Sequence, residues 1–332
     1  MKTISIFNQK GGVGKTTSVV NLAVSLSKLN KKVLVIDFDP QANTTTGLGF
    51  DKNELEKSIY KMFYDEGDNY KDYILKSEEG PYLIASENSL SGLEVELVSL
   101  DQEERLKMLS QIIEEIKKDF DIILIDCPPS LGLLSLNALV ASDSIIIPIQ
   151  TEYYALEGVS ELLKTYQTIK ESIKEDLEIE GVLLCMFDKD TDLSYEVVEE
   201  VKSFFKEKVF STMIPRNIKL AEAPSFGKSV ITYDEKSKGA RAYLSLAKEL
   251  VENIFEKKEN LEKNSKIEEK NDNLNNAEIK NSKKTKEIRD EKSKEDKNIV
   301  KNDKKENSDE TIVKKNKFSF NQNKLINNEK RD

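Results

Sequence analysis

The chain has 332 residues, of which 34% are charged and 38% are hydrophobic, and its formal net charge at pH 7 is −10. This composition is typical of a soluble protein with a hydrophobic core, and the length allows one large domain or two. The sequence contains no histidine, which excludes Ser-His-Asp and Cys-His catalysis and every metal site that needs a histidine ligand.

Short apolar runs alternate with longer amphipathic segments along residues 1–258. Runs such as V-L-V-I-D and I-I-L-I-D are apolar at every position before the final acid, which is typical of strands covered on both faces. The pattern predicts an α/β fold with a mostly parallel, doubly wound sheet flanked by helices. The predicted strands are 3–7, 32–37, 82–86, 121–126, 144–149, 181–187 and 209–214, and the predicted helices are 16–29, 103–118, 157–173, 194–206 and 240–257.

The composition changes after about Lys258 to Lys, Glu, Asn and Ser with scattered aliphatic residues. Such a segment cannot bury enough apolar surface to offset the entropy that ordering costs. We expect one domain at residues 1–258 and a charged, low-complexity, disordered tail at residues 259–332. Because the tail is slightly basic, the domain is more acidic than the whole chain, and any nucleic-acid contact requires a local basic patch.

Two cysteines, Cys127 and Cys185, lie inside apolar runs, which favours a reducing compartment over a disulfide-stabilised fold. No apolar stretch reaches the length of a membrane span, and the first apolar run is too short for a signal peptide. These features predict a cytoplasmic protein.

The stretch N-Q-K-G-G-V-G-K-T-T, residues 8–17, follows the first predicted strand and opens the first predicted helix. It nearly fits the phosphate-binding pattern G-x-x-x-x-G-K-[ST], except that Gln9 replaces the first glycine and a second lysine, Lys10, lies inside the loop. Glycines let backbone N–H groups surround phosphate oxygens, and the helix start adds its dipole. Lys15 is expected to contact the β- and γ-phosphates, and the Thr16 hydroxyl to ligate Mg²⁺. The expected nucleotide-binding residues of the loop are Lys10, Gly11, Gly12, Val13, Gly14, Lys15, Thr16 and Thr17.

Carboxylates at strand ends supply the other groups that a magnesium–nucleotide site needs. Asp126 closes the run I-I-L-I-D in the manner of a Walker B acid, which contacts the metal directly or through water. Asp37 ends another predicted strand, and Asp39 follows it in the segment D-F-D-P-Q. Without histidine, a carboxylate is the natural group to orient an attacking water, but the pattern alone does not choose between Asp37 and Asp39.

Five motifs in order resemble those of the ParA/Soj chromosome- and plasmid-partitioning ATPases, within the deviant Walker A group that also includes MinD. They are K-G-G-V-G-K-T-T, D-F-D-P-Q-A-N, D-C-P-P-S-L-G, E-Y-Y-A-L-E-G and I-P-R-N-I-K-L-A-E-A-P-S-F-G-K. The resemblance covers residues 1 to about 255 and implies a sandwich dimer that forms when ATP is bound.

The resemblance also implies roles for individual residues. Lys10 reaches the phosphates of the partner's ATP, whereas Lys15 acts within its own subunit. Asp39 positions the hydrolytic water and lies in the metal region with Thr16 and Asp126. The remaining expected nucleotide contacts, which hold the adenine, are Pro215 and Asn217.

Members of the resembled family bind DNA non-specifically as ATP dimers, and a ParB/Spo0J-type partner stimulates their hydrolysis to drive chromosome or plasmid segregation. The resemblance therefore implies a nucleoid-associated protein. Where relatives commonly read D-x-R-T, this chain reads D-K-D-T at residues 188–191, which places the acid Asp190 at a position that is often basic. The candidate DNA-binding residues are Lys189, Arg216, Lys219, Lys228 and Arg241.

A MinD-like ATPase that cycles on a membrane and places the division site is the alternative function. It requires an amphipathic C-terminal helix with a broad apolar face. The apolar residues of the tail are too sparse for such a face, so we expect no stable membrane association.

Overall fold

A seven-stranded sheet forms the centre of the part of the chain that the computed structural model describes, residues 1–65, 69–99, 101–152 and 155–256. The strand order is β3-β4-β2-β5-β1-β6-β7, and only the short β3 runs antiparallel to its neighbour. The tail expected at residues 259–332 lies outside these described residues. The strands are β1 (Lys2–Ile6), β2 (Val33–Asp37), β3 (Leu75–Lys76), β4 (Tyr82–Ile84), β5 (Ile122–Asp126), β6 (Ser144–Gln150) and β7 (Glu178–Cys185).

Helices pack on both faces of the sheet. Within one strand, Leu34 and Ile36 face a core that also contains Leu109 of α5, whereas Val33 and Val35 face a core that contains Leu22 of α1. The helices are α1 (Lys15–Lys28), α2 (Asn43–Gly47), α3 (Ile59–Met62), α4 (Leu90–Glu96), α5 (Gln102–Ile116), α6 (Leu133–Val140), α7 (Ala155–Ser172), α8 (Asp192–Phe205), α9 (Ile218–Glu222), α10 (Val230–Tyr233) and α11 (Lys238–Val251).

The predicted fold class is confirmed, because strands apolar at every position are buried on both faces. The predicted strand at residues 209–214 is wrong. The segment forms one isolated bridge with β7, between Val209 and Val182. It does not continue as a regular strand, because the backbone N–H groups of Ser211 and Thr212 donate to the carboxylate of Glu249. The short helices were missed because four to eight residues do not reveal a helical period.

The packing of β7 predicts a strong effect of a small substitution. A Cβ atom placed on Gly181 would overlap the ring of Phe210, which is buried. We expect Gly181→Ala to lower the free energy of unfolding by about 2 kcal/mol, because an overfilled core must shift its backbone or side chains. Urea denaturation of the full chain measures this change.

Gly92→Ala in α4 is the matched control. The atom nearest to a Cβ there lies 3.6 Å away, at the end of the Glu96 side chain. Alanine in a helix should leave the stability unchanged or raise it by up to about 1 kcal/mol. Equal unfolding curves for wild type and Gly181→Ala would contradict the proposed overlap.

Candidate nucleotide-binding site

The loop between β1 and α1 has the backbone that a phosphate-binding loop requires. Gly12 and Gly14 have φ values of 74° and 97°, in the left-handed region that residues with a Cβ rarely adopt. A Cβ on Gly14 would lie 3.6 Å from Sγ of Cys185, an ordinary contact, so backbone conformation rather than space requires glycine. The loop opens directly into α1, whose first residue is Lys15.

The two lysines of the loop lie in different environments. Lys15 is only 7% exposed, and its Nζ donates a hydrogen bond to the carbonyl oxygen of Lys10 at 3.1 Å. Burial lowers the pKa of Lys15, and the nearby charge of Asp126 opposes that shift. Lys10 is exposed, while its backbone N–H is fixed by the Asn8 side chain at 3.0 Å. One cation therefore faces the interior of the site and the other faces outward.

Asp126 is fully buried at the end of β5, where it lies opposite Asp37 of β2 in the parallel register. Its Oδ2 accepts hydrogen bonds from the hydroxyls of Thr16 at 2.8 Å and Thr44 at 2.7 Å. Its Oδ1 is buried and accepts no hydrogen bond within the described part of the chain. An unpaired buried carboxylate oxygen is costly unless a cation or water satisfies it.

This arrangement fits magnesium. The Thr16 hydroxyl points its proton at Asp126, so its lone pairs remain available to a metal beside Oδ1 of Asp126. Among the described residues, no three His, Cys, Asp or Glu side chains gather into a metal cluster. Protein sites for Mg²⁺ usually combine one or two carboxylates with water and substrate phosphates, which is the donor set that Thr16 and Asp126 can complete.

The structure separates the roles of Asp37 and Asp39. Oδ2 of Asp37 accepts from the backbone N–H and the hydroxyl of Thr45, both at 2.7 Å, so this fully buried carboxylate fastens α2. Asp39 is 8% exposed, and its Oδ2 accepts no hydrogen bond from a described residue, while Oδ1 accepts from the N–H of Gln41 at 3.0 Å. Of these two acids, Asp39 therefore keeps a carboxylate oxygen without a donor in the described part of the chain, which it can offer to a water molecule.

A cavity of about 330 Å³ adjoins the phosphate-binding loop. Pro215 and Asn217 line it together with Gly14 and Thr17, so the structure brings the expected adenine-binding residues to the loop. Oδ1 of Asn217 accepts from the N–H of Lys219 at 2.8 Å and starts α9. The other residues that line the cavity are Cys185, Met186, Ile214, Arg216, Ile218, Leu220, Ala221 and Tyr243.

Four residues of the site were not predicted from the sequence: Thr44 at the carboxylate, and Cys185, Met186 and Tyr243 in the cavity. The end of a predicted parallel strand was an available signal for Cys185 and Met186, because strand ends of such sheets form the ligand crevice. Met186 has a φ of 56°, which no sequence pattern indicates. The motif E-Y-Y-A-L-E-G is only partly visible, since residues 153–154 lie outside the described ranges.

The candidate DNA-binding residues are surface residues with different partners. Arg216 pairs with Glu152 at 2.6 Å and Lys219 with Glu222 at 2.8 Å. Lys189 lies 3.6 Å from Asp190, the acid that departs from the family pattern. Within the described ranges, the exposed Lys228 and Arg241 have no ion pair.

Similarity to known proteins covers most of the chain. The family model of the AAA domain matches residues 1–179. The sequence is 50% identical over 253 residues to sporulation initiation inhibitor protein Soj of Bacillus subtilis, covering 76% of this chain and 99% of Soj. It is 46% identical over 252 residues to chromosome partitioning protein ParA of Myxococcus xanthus, covering 75% of this chain and 88% of ParA.

A solved structure shares the fold and contains a nucleotide analogue. Cobyrinic acid a,c-diamide synthase from Mycobacterium smegmatis, with bound ATP analog and magnesium, aligns with a TM-score of 0.66 and 31% identity. The alignment covers 76% of this chain and 95% of the synthase.

None of the helices in the described ranges has both the length and the apolar character that a membrane span requires.

The buried carboxylates predict that stability depends on pH. Burial, with the nearby charge of Asp126, raises the pKa of Asp37 to about 8, and burial raises the pKa of Asp126 to about 6. Both values exceed those of unfolded carboxyls, so between about pH 4 and pH 8 the folded chain holds more protons than the unfolded chain. The free energy of unfolding without nucleotide should therefore fall as pH rises through this range, by up to about 1.4 kcal/mol per pH unit for each proton.

Urea denaturation at about pH 5.5, 7 and 8.5 measures this dependence. Asp37→Asn should flatten the fall above about pH 6, whereas Asp51→Asn, on the exposed surface, should keep the wild-type slope. A wild-type stability that stays constant or rises across the range would show that both buried carboxyls are ionised in the folded chain.

Proposed function

This chain belongs to the ParA/Soj family of partitioning ATPases, and we propose that it works as an ATP-dependent DNA-partitioning switch. ATP binding joins two copies of the chain into a dimer, and the dimer binds DNA without sequence preference. A partner of the ParB/Spo0J type stimulates Mg²⁺-dependent hydrolysis to ADP and phosphate, which releases the dimer from the nucleoid. The cycle separates copies of a chromosome or plasmid.

The observation that carries this proposal is the division between the buried Lys15 and the exposed Lys10 within one phosphate-binding loop. A nucleotide needs only the buried lysine for binding inside its own subunit. The exposure of Lys10 supports a contact with phosphates that belong to another molecule. Two ATP molecules facing each other concentrate negative charge in one interface, and a lysine from each side offsets that repulsion.

The hydrolytic step is assigned to residues at the ends of β2 and β5. Thr16 and Asp126 would hold magnesium, which neutralises charge on the phosphates when bound. Asp39 offers its uncommitted oxygen to the attacking water and holds it in line with the γ-phosphate. Lys15 binds the β- and γ-phosphates from within the site, and the cavity near Pro215 holds the adenine.

The DNA-binding step is assigned to the basic side chains of the C-terminal half. Among the described residues, no acid pairs with Lys228 or Arg241. Arg216 and Lys219, in contrast, must exchange Glu152 and Glu222 for a phosphate. Exposed ion pairs contribute little to stability, so this exchange costs little. Contacts of this type ignore base sequence and weaken steeply with salt.

DNA binding of the full chain with ADP, ATP or a non-hydrolysable ATP analogue tests the function. We expect binding to unrelated duplexes only with a triphosphate, with an affinity that falls at least tenfold between about 50 and 200 mM salt. Fluorescence anisotropy of a labelled duplex measures it. The double variant Lys228→Glu/Arg241→Glu should bind at least tenfold more weakly, because repulsion replaces two phosphate contacts.

Lys118→Glu is the control, because Lys118 is an exposed lysine just before β5, at the opposite end of that strand from Asp126. It should bind DNA like the wild type. Absence of DNA binding with every nucleotide would refute the partitioning cycle, and triphosphate-dependent pelleting with anionic vesicles would then favour the membrane-cycling alternative.

Lys10→Ala should separate nucleotide binding from dimerisation. We expect the affinity for a fluorescent ADP to stay within about threefold of wild type, because Lys15 and the glycine backbone remain. The ATP-dependent dimer should be lost, because the cation that contacts the second nucleotide is gone. Light scattering after size exclusion measures the mass, with Lys118→Ala as control; an intact ATP dimer in Lys10→Ala would remove the trans role.

A further inference from the structure

The hydroxyl of Thr44 connects two parts of the site that the proposed function uses separately. We propose that Thr44 is a positioning residue that couples Asp126, in the metal region, to the loop that carries Asp39. Its hydroxyl donates to Oδ2 of Asp126 at 2.7 Å, and the side chain is fully buried. This role deepens the proposed function and rests on it.

The backbone explains how Thr44 reaches the carboxylate of Asp126 on β5, the strand that neighbours β2 in the sheet. The N–H of Ala42 bonds to the carbonyl oxygen of Asp39 at 2.9 Å, which closes a tight turn. Ala42 has a φ of 55°, a left-handed conformation that is uncommon for a residue with a Cβ. The chain then starts α2, and Thr44 and Thr45 donate to the carboxylates at the ends of β5 and β2.

Several hydrogen bonds hold the loop that carries Asp39, and they differ in whether the acceptor belongs to the metal region. The hydroxyl of Ser86 donates to the carbonyl oxygen of Asp39 at 2.7 Å, and Thr45 bonds to Asp37. Neither acceptor is a group that we assign to magnesium. The bond of Thr44 is different, because its acceptor oxygen is shared with Thr16 of the phosphate-binding loop.

The Asp126 carboxylate thus accepts one hydrogen bond from Thr16, on the nucleotide side, and one from Thr44, which follows the loop that carries Asp39. Both hydroxyls hold Oδ2 of Asp126, and its buried Oδ1 has no hydrogen-bond partner in the described part of the chain. We expect a shift of this carboxylate to be transmitted to α2 and to the turn at Asp39, four residues before the start of that helix. Loss of the Thr44 hydroxyl should leave the nucleotide contacts intact but loosen both Asp126 and Asp39.

The first test compares the ATP turnover of the full chain with its Thr44→Val, Thr44→Ser and Thr46→Val variants. Valine keeps the shape and removes the hydroxyl, so we expect kcat to fall about tenfold while KM for ATP stays within about twofold. Serine restores the donor and should return kcat to within about twofold of wild type. Thr46 is an exposed threonine of the same helix, and its hydroxyl has the carbonyl oxygen of Ala42 as its one hydrogen-bond partner among the described residues. Thr46→Val should therefore match wild type.

The second test does not depend on turnover. Affinity for a fluorescent ADP is measured against Mg²⁺ concentration, and we expect the half-saturating Mg²⁺ concentration to rise at least threefold in Thr44→Val and not in Thr44→Ser or Thr46→Val. If valine prevents folding, as judged by thermal denaturation, Thr44→Ala takes its place with the same expectations.

An unchanged kcat together with an unchanged Mg²⁺ dependence in the variant that lacks the hydroxyl would overturn the proposal, as would an equal loss in Thr46→Val. Failure of the proposed function gives a different result. If the wild type does not hydrolyse ATP, the partitioning cycle is lost, while the Mg²⁺ titration still decides whether Thr44 supports Asp126.

Discussion

Asp126 ends a strand in the interior of the sheet, where burial makes a negative charge costly unless donors or a cation surround it. Two hydroxyls from different elements satisfy one of its oxygens, and the other oxygen is left without a protein donor among the described residues. This imbalance is the basis of the proposed magnesium site, because the two hydroxyls stabilise the buried carboxylate and leave its other oxygen to a cation. The phosphate-binding loop and α2 are both organised around it.

Asp37 ends the strand next to that of Asp126, but its carboxylate has a structural role. It lies beside Asp126 across the sheet, but both of its oxygens accept hydrogen bonds from the segment that follows, which includes Thr45 and the N–H of Asp39. It holds the turn in place, and burial favours its neutral form. Asp39, two residues later, lies at the edge of the site with an oxygen still available. Packing therefore divides one D-F-D motif into a structural acid and a proposed catalytic acid.

The acidic charge of the domain limits where DNA could bind. The domain is acidic as a whole, so a DNA surface must be local, and several of its basic candidates already pair with acids. Such exposed pairs exchange at little cost, which suits the reversible cycle that we propose. In the proposed dimer, the number of phosphate contacts would double, which raises affinity steeply by multivalency.

The sequence alone determined the class of the protein, because the relevant signals are local. The order strand, glycine loop, lysine, helix predicts a phosphate site wherever it occurs, and strands that are apolar at every position predict a sheet covered on both faces. The motif order then identified the family. Residues 209–214 show the limit of such patterns. An apolar run reports burial, but it does not indicate that Glu249 of α11 accepts the backbone N–H groups of Ser211 and Thr212.

Only the tertiary structure decided which groups meet. Thr44 bonds to Asp126 across 82 positions of the sequence, and Pro215 lines a cavity with Gly14. No local pattern records these distances, because they follow from the crossover connections that bring strand ends together. The sequence therefore predicted burial and chemistry. The topology decided that Asp126 accepts two hydroxyls and that Asp39 keeps an oxygen without a donor among the described residues.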